Sequence, residues 1–135
     1  MKHGFVLILL SLVSCKSQQA TNNAMSTYVY FDGSANKYTI TQSSIKYDPV
    51  TPENSSTGFY SGGEPYQKNI DPLQFESLES VFKKAIQVKE DQTSNRDKGT
   101  GMLFIPTSES PYIFKMHSVQ KQEIESAIKK AAGIL

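Results

Sequence analysis

The sequence predicts an α+β fold, a small mostly antiparallel sheet with two amphipathic helices in the order β-β-β-(β)-α-β-β-α. Three observations predict it. Extended runs rich in aromatic and β-branched residues arrive in pairs joined by turn signals, as hairpins do. Two longer segments carry apolar residues at helical spacing. The predicted strands outnumber the helices, so the helices can cover one sheet face but cannot alternate with strands in a parallel sheet.

The elements follow in chain order. "TYVYF" and "NKYTIT" flank Asp32-Gly33-Ser34-Ala35, and Asp-Gly between such runs is a hairpin signal. "SSIKYDPV" is a third strand, with Ile45 and Tyr47 alternating against Lys46 until Pro49 and Pro52 break it. Thr51 to Pro65, "TPENSSTGFYSGGEP", is dense in Ser, Gly, Pro and Asn and reads as a loop. Within it Phe59 and Tyr60 have the residue types of a short strand. Tyr66 to Ile70 is the bracketed fourth strand.

Asp71 then offers an N-cap, Pro72 suits the first helical position, and Gln74 stands where a capping-box partner would. Phe75, Leu78, Val81, Phe82, Ala85 and Ile86 form one stripe, which predicts a helix ending near Val88 or Lys89. Glu76 and Glu79 lie early and Lys83, Lys84 and Lys89 late, an order that complements the helix dipole. Lys89 to Gly101 reads as a charged loop. "MLFIP" and "YIFKMH" predict a second hairpin, with Tyr112, Phe114 and Met116 on one face and Lys115 and His117 on the other. Ser118 caps a last helix with the stripe Ile124, Ala127, Ile128 and Ala131, ended by Gly133.

The first residues read differently. Met1, Lys2 and His3 form a basic head, and Phe5 to Val13 is almost continuously apolar. That run is far short of the about 20 residues needed to span a bilayer, and it matches the apolar region of a secretory signal. It ends Leu12-Val13-Ser14-Cys15, which resembles the lipobox of bacterial lipoprotein precursors. The resemblance implies cleavage between Ser14 and Cys15 and a diacylglyceryl group on the Cys15 thiol. Two acyl chains hold a protein on a membrane where one does not. The expected organisation is a signal peptide over 1–14, a lipidated polar tether over 15–26, and one α+β domain over 27–135. The expected location is the cell envelope. Lys16 in place of the Asp that retains such proteins at an inner membrane points to an outer membrane where the cell has one.

Composition narrows the function. The chain has 135 residues, 14 basic and 13 acidic side chains and a single cysteine. Lys2 lies in the leader, so the charges beyond it balance and no basic excess favours nucleic acid. With Cys15 acylated no disulfide forms, and His117 is the only histidine beyond the leader, so a four-ligand zinc site cannot be assembled. No cofactor is expected. No Gly-x-Ser-x-Gly surrounds a serine, which leaves no catalytic assignment. His117 beside an acid, as a small hydrolase, is the enzymatic rival. The leading expectation is a non-enzymatic binding or structural module held on the membrane through Cys15.

Candidate contact residues come from two stretches. In "GFYSGGEPY" the pair Gly62-Gly63 lets the backbone turn sharply or approach a partner, and Phe59, Tyr60 and Tyr66 are aromatics of the kind that anchor contacts. A tight turn with its tyrosines packed on the sheet is the competing reading. "NRDKGTG" holds the only arginine, Arg96, which could clamp a carboxylate or simply pair with Asp91 or Asp97. The run "YSGGEPYQKNI" and the helix, hairpin and helix after it resemble, from about Ile45 onward, emfourin-type inhibitors of thermolysin-like metalloproteases. The shared motif is the Gly-Gly, and Thr51 to Gly58 is more polar than that pattern. The resemblance implies an envelope protease as partner.

Overall fold

The computed structural model describes residues 26–135. The signal peptide, the lipobox and all but the last residue of the tether lie outside the described residues. Among those described, seven strands form one antiparallel sheet: β1 (Tyr28–Phe31), β2 (Lys37–Ile40), β3 (Ser44–Asp48), β4 (Tyr66–Asn69), β5 (Gln92–Thr93), β6 (Gly101–Phe104) and β7 (Tyr112–Phe114). Their order across the sheet is β4-β3-β2-β1-β6-β7-β5. Two helices, α1 (Pro72–Ala85) and α2 (Val119–Ala131), pack against each other and share one core with the sheet. The α+β class and its antiparallel sheet are therefore as the sequence predicts.

Alternation decides which face is covered. Tyr28, Tyr30, Tyr38, Ile40, Ile45, Tyr47 and Leu103 point towards the helices, where they meet Phe75, Leu78, Phe82, Ile124 and Ile128. The register sets Tyr30, Tyr38, Tyr47 and Tyr66 directly opposite one another on four successive strands. Their rings make a ladder, with centroids 6.4, 4.8 and 4.9 Å apart. Cross-strand aromatic pairs of this kind are a main source of sheet stability.

β1 is the central strand and is tied to both helices. The Tyr28 hydroxyl donates to Glu79 of α1 at 2.8 Å, and the Tyr30 hydroxyl donates to Glu125 of α2 at 2.9 Å. Glu125 also holds Lys121 at 2.9 Å. Each tyrosine thus buries its ring and still satisfies its hydroxyl, as a buried phenol must. Burial and the neighbouring carboxylates push the Tyr28 and Tyr30 hydroxyls far above their ordinary range. The bonds from Tyr28 and Lys83 hold Glu79 below its ordinary range.

The helix ends repeat the sequence logic at three points and depart from it at one. Asp71 and Gln74 form the capping box, with bonds of 2.8 and 2.9 Å. The Ser118 side chain accepts from Lys121 N–H at 3.3 Å. Gly133, at φ +73°, closes α2 with bonds from its own N–H to Lys130 and from Ile134 to Lys129, the paired bonds of a Schellman ending. The exception is the end of α1, which stops at Ala85 before the expected Val88 or Lys89. There the Gln92 amide donates to the carbonyls of Ala85, Ile86 and Val88, a cap supplied from outside the helix.

Two further corrections concern the second half. Lys89 to Gly101 is not all loop: Lys89–Asp91 is a 3₁₀ turn and Gln92–Thr93 pairs with Phe114 and Ile113. The last strand ends at Phe114, so Met116 and His117 lie in a turn and Met116 does not continue the Tyr112–Phe114 face. The Lys115 N–H instead bonds the Asp91 carbonyl at 2.9 Å. Phe59 and Tyr60 form no strand.

Candidate functional site

β1 runs from Tyr28, near the start of the described residues, to a pole where three loops meet. They are the β1–β2 turn at Asp32–Asn36, the long loop over 49–65, and the loop over 94–100. Together they line a cleft of about 760 Å³.

The β1–β2 turn supplies the first wall. Ala35 N–H bonds the Asp32 carbonyl and Asp32 N–H bonds the Asn36 carbonyl, both at 3.0 Å. This is a type I turn followed by a left-handed residue, a common three-residue hairpin. The left-handed position is Ala35, at φ +68°, and not Gly33. Gly33 is needed for another reason. A Cβ there would lie 2.8 Å from the Gly99 carbonyl oxygen. The two backbones touch, and Gly99 N–H donates to the Gly33 carbonyl at 3.1 Å.

Arg96 reinforces that join. Its Nη1 donates to the Thr100 carbonyl and to Thr100 Oγ1, and its Nη2 to the Asp32 carbonyl at 3.1 Å. The ion pair considered with Asp91 or Asp97 is not formed. Arg96 is exposed and lines the cleft.

Asn36 braces these walls without lining the cleft. It is 4 % exposed, and its amide donates to Asp32 at 2.9 Å and to the Tyr60 hydroxyl at 3.0 Å while accepting from Val50 N–H at 3.0 Å. One buried side chain therefore joins the turn, the start of the long loop and its aromatic end. Gly62 completes the tie. Its N–H donates to the Val50 carbonyl at 2.8 Å and its carbonyl accepts from the Tyr47 hydroxyl at 2.7 Å. A Cβ on Gly62 would lie 2.0 Å from Asn36 Oδ1. The long loop is thus held at its base, and the cleft is formed in advance of any ligand.

The rim is different. Phe59 is 90 % exposed and Tyr60 38 %. Nothing in the fold is stabilised by exposing a phenylalanine ring, which sits in an otherwise polar loop. Of the sequence-predicted contact residues, Phe59, Tyr60 and Arg96 line this one cleft, and Gly62 braces it from below. Gly63, at φ +93° with open space around it, turns the chain out of the loop. Tyr66 is not in the cleft. It ends the tyrosine ladder, its ring stacks on Tyr47, and its hydroxyl is buried with no partner among the described residues. For Tyr66 the packed-turn reading is the right one, because β4 places it opposite Tyr47.

Sequence reasoning missed Ala35, Ser34 and Lys98 as cleft residues, and Asn36 as the side chain that braces them. Asn36 bonds Asp32 locally, but the bonds that tie in the long loop reach 14 and 24 residues along the chain and leave no local signal. His117 is exposed in the turn before α2 and makes no hydrogen bond or ion pair with a described residue. Among the described residues no three metal-ligating side chains converge, and no helix is long and apolar enough to cross a membrane.

No protein-family model matches the chain, and neither the curated proteins nor the solved structures include a match.

Proposed function

We propose that this protein is an envelope lipoprotein, anchored through diacylglyceryl-Cys15, whose domain is a non-enzymatic binding module acting through the loop-pole cleft. The observation that carries the reading is the pairing of loops tied together through Asn36 with a rim that leaves Phe59 exposed. Binding sites favour rigid concave shapes with a few exposed anchor groups. The tether enters at Thr27, on one end of β1, and the cleft opens beyond the other end. A membrane-held chain would then present the cleft away from the bilayer.

Two experiments test the two halves. Labelled fatty acid should be incorporated into the full chain and lost in Cys15→Ala; unchanged labelling refutes the anchor. Envelope extract passed over the wild-type chain should yield a bound component that Phe59→Ala no longer retains and that Leu73→Ala, on the distant α1 surface, still does. Equal retention by both variants removes the cleft from the function.

The protease-inhibitor reading draws on the same loop, because an exposed Phe59 on a tied loop is a side chain that an apolar protease pocket can take. Titrating a thermolysin-like protease with the purified chain decides it. Undiminished proteolysis at micromolar excess rejects inhibition and leaves the binding module in place.

A further inference from the structure

We infer that the cleft takes a saccharide bearing a carboxylate, with one sugar ring stacked on Phe59 and the carboxylate held by Lys98 and Arg96. The inference rests on the reading of the cleft as a binding site and adds the class of ligand.

Size is the first argument. About 760 Å³ falls within the roughly 300–1,000 Å³ of small-ligand sites. The lining points the same way. Beside Ala35, Val50 and the two rim aromatics it carries the charged Arg96, Asp97 and Lys98 and small polar side chains that include Ser34, Ser56 and Thr57. The hydroxyls of Ser34 and Ser56 have no hydrogen-bond partner among the described residues. The Tyr60 hydroxyl accepts from Asn36 and keeps its own proton to donate. A protein partner would favour a broad apolar centre with a polar rim. This cleft has no such centre: Phe59 and Tyr60 stand among the exposed polar side chains Ser34, Ser56 and Thr57. A pyranose ring matches that mixture. Its C–H face is apolar and packs on an aromatic ring, while its edge carries hydroxyls that exchange hydrogen bonds with serine, threonine and tyrosine.

Charge is the third argument. Lys98 is exposed and has no ion-pair partner among the described residues. Arg96 commits both terminal nitrogens to Thr100 and Asp32, yet a guanidinium has five N–H groups and three bonds leave two. Against these two cations the lining offers one acid, Asp97. A neutral sugar would leave the cations facing water. A carboxylate on the ring would use them, with the charge-assisted bonds that guanidinium and ammonium groups make best.

The test uses the full-length chain in detergent micelles and calorimetric titration. The carboxylated probes are an N-acetylmuramyl disaccharide and digalacturonate. The controls are neutral chitobiose and inorganic phosphate. At least one carboxylated probe should bind, about threefold or more tighter than chitobiose. Lys98→Ala should erase that difference. Phe59→Ala should weaken every sugar by about fivefold, the size of one aromatic contact. Both positions are exposed, and unchanged thermal melting confirms the fold of each variant. Equal binding of charged and neutral sugars, or no effect of Lys98→Ala, overturns the carboxylate assignment. Phosphate binding as tightly as the disaccharides marks a bare anion site and overturns the sugar. If no sugar binds at millimolar concentration the inference fails. In that case a photo-crosslinker at position 59 separates the two readings. A cross-linked envelope protein preserves the binding module, and no cross-link removes it too.

Discussion

The half of the domain under the helices and the loop pole are built from similar residues to opposite ends. Tyr30, on β1, is fully buried and its hydroxyl is spent on Glu125; Phe59, in the long loop, is 90 % exposed. Tyr60 and Tyr66 stand six residues apart, yet one lines the cleft and the other ends the ring ladder. The difference teaches that aromatic content alone does not mark a contact surface here. What separates the two groups is whether a strand register places the ring opposite another ring. The helix-covered half supplies stability, and the pole can therefore keep groups that stability does not use.

That separation can be broken from either side. Alkali should act most strongly, and only on the helix-covered half. Burial raises the hydroxyls of Tyr28, Tyr30, Tyr38 and Tyr66, and pushes Tyr47 up to about 12. The folded state favours their neutral forms, so their contribution is complete below the ordinary tyrosine value of about 10 and is lost as pH rises through the folded values. Tyrosinate absorbance and loss of circular dichroism should rise together above about pH 10. Ionisation of these tyrosines with full ellipticity retained would contradict the ladder.

Phe82→Ala should come next. Phe82 is fully buried and its ring lies 5.0 Å from that of Tyr28. Removing it should cost about 3–5 kcal/mol in urea denaturation. Gly62→Ala tests the join between the regions. The added Cβ collides with Asn36 and Pro49, so a loss of about 1–3 kcal/mol is expected together with loss of cleft binding. Wild-type stability with wild-type binding would show that the cleft is not braced as described. The smallest effects belong to the rim. Phe59→Ala should leave stability within about 0.5 kcal/mol while binding falls. Ala35→Gly should stabilise by up to about 1 kcal/mol, because glycine takes the left-handed conformation without the Cβ penalty.

Much of the fold was legible because its signals are local. The Asp71–Gln74 box, the Ser118 cap and the Gly133 ending each need only four or five neighbouring residues. In β2 and β3 the alternation of Tyr38 and Ile40 with Lys37 and Thr39, and of Ile45 and Tyr47 with Lys46, marks the buried face before any partner is known, whereas "YVYF" of β1 is apolar on both faces. The turn at Asp32–Asn36 was legible as a hairpin. Its left-handed residue was not, because the Asp-Gly signal points to Gly33 and the close approach of Gly99 is what uses that glycine. β5 was hidden in a polar run, and its pairing with Ile113 and Phe114 supplies the order that its own residues lack.

The candidate site was legible only as its parts. Phe59, Tyr60, Gly62 and Arg96 can be picked out by residue type, but nothing in their spacing says that residues 59 and 96 share a cleft. The faces of β2 and β3 and the helix caps are written in the residues, since they depend on neighbours a few positions away, and the balance of charge is composition. That Tyr66 belongs to the core, that α1 stops at Ala85, and that three loops meet around Asn36 emerge with the folded arrangement. Those outcomes depend on hydrogen bonds and close backbone contacts between residues far apart in the chain, whose formation the folded sheet alone makes possible.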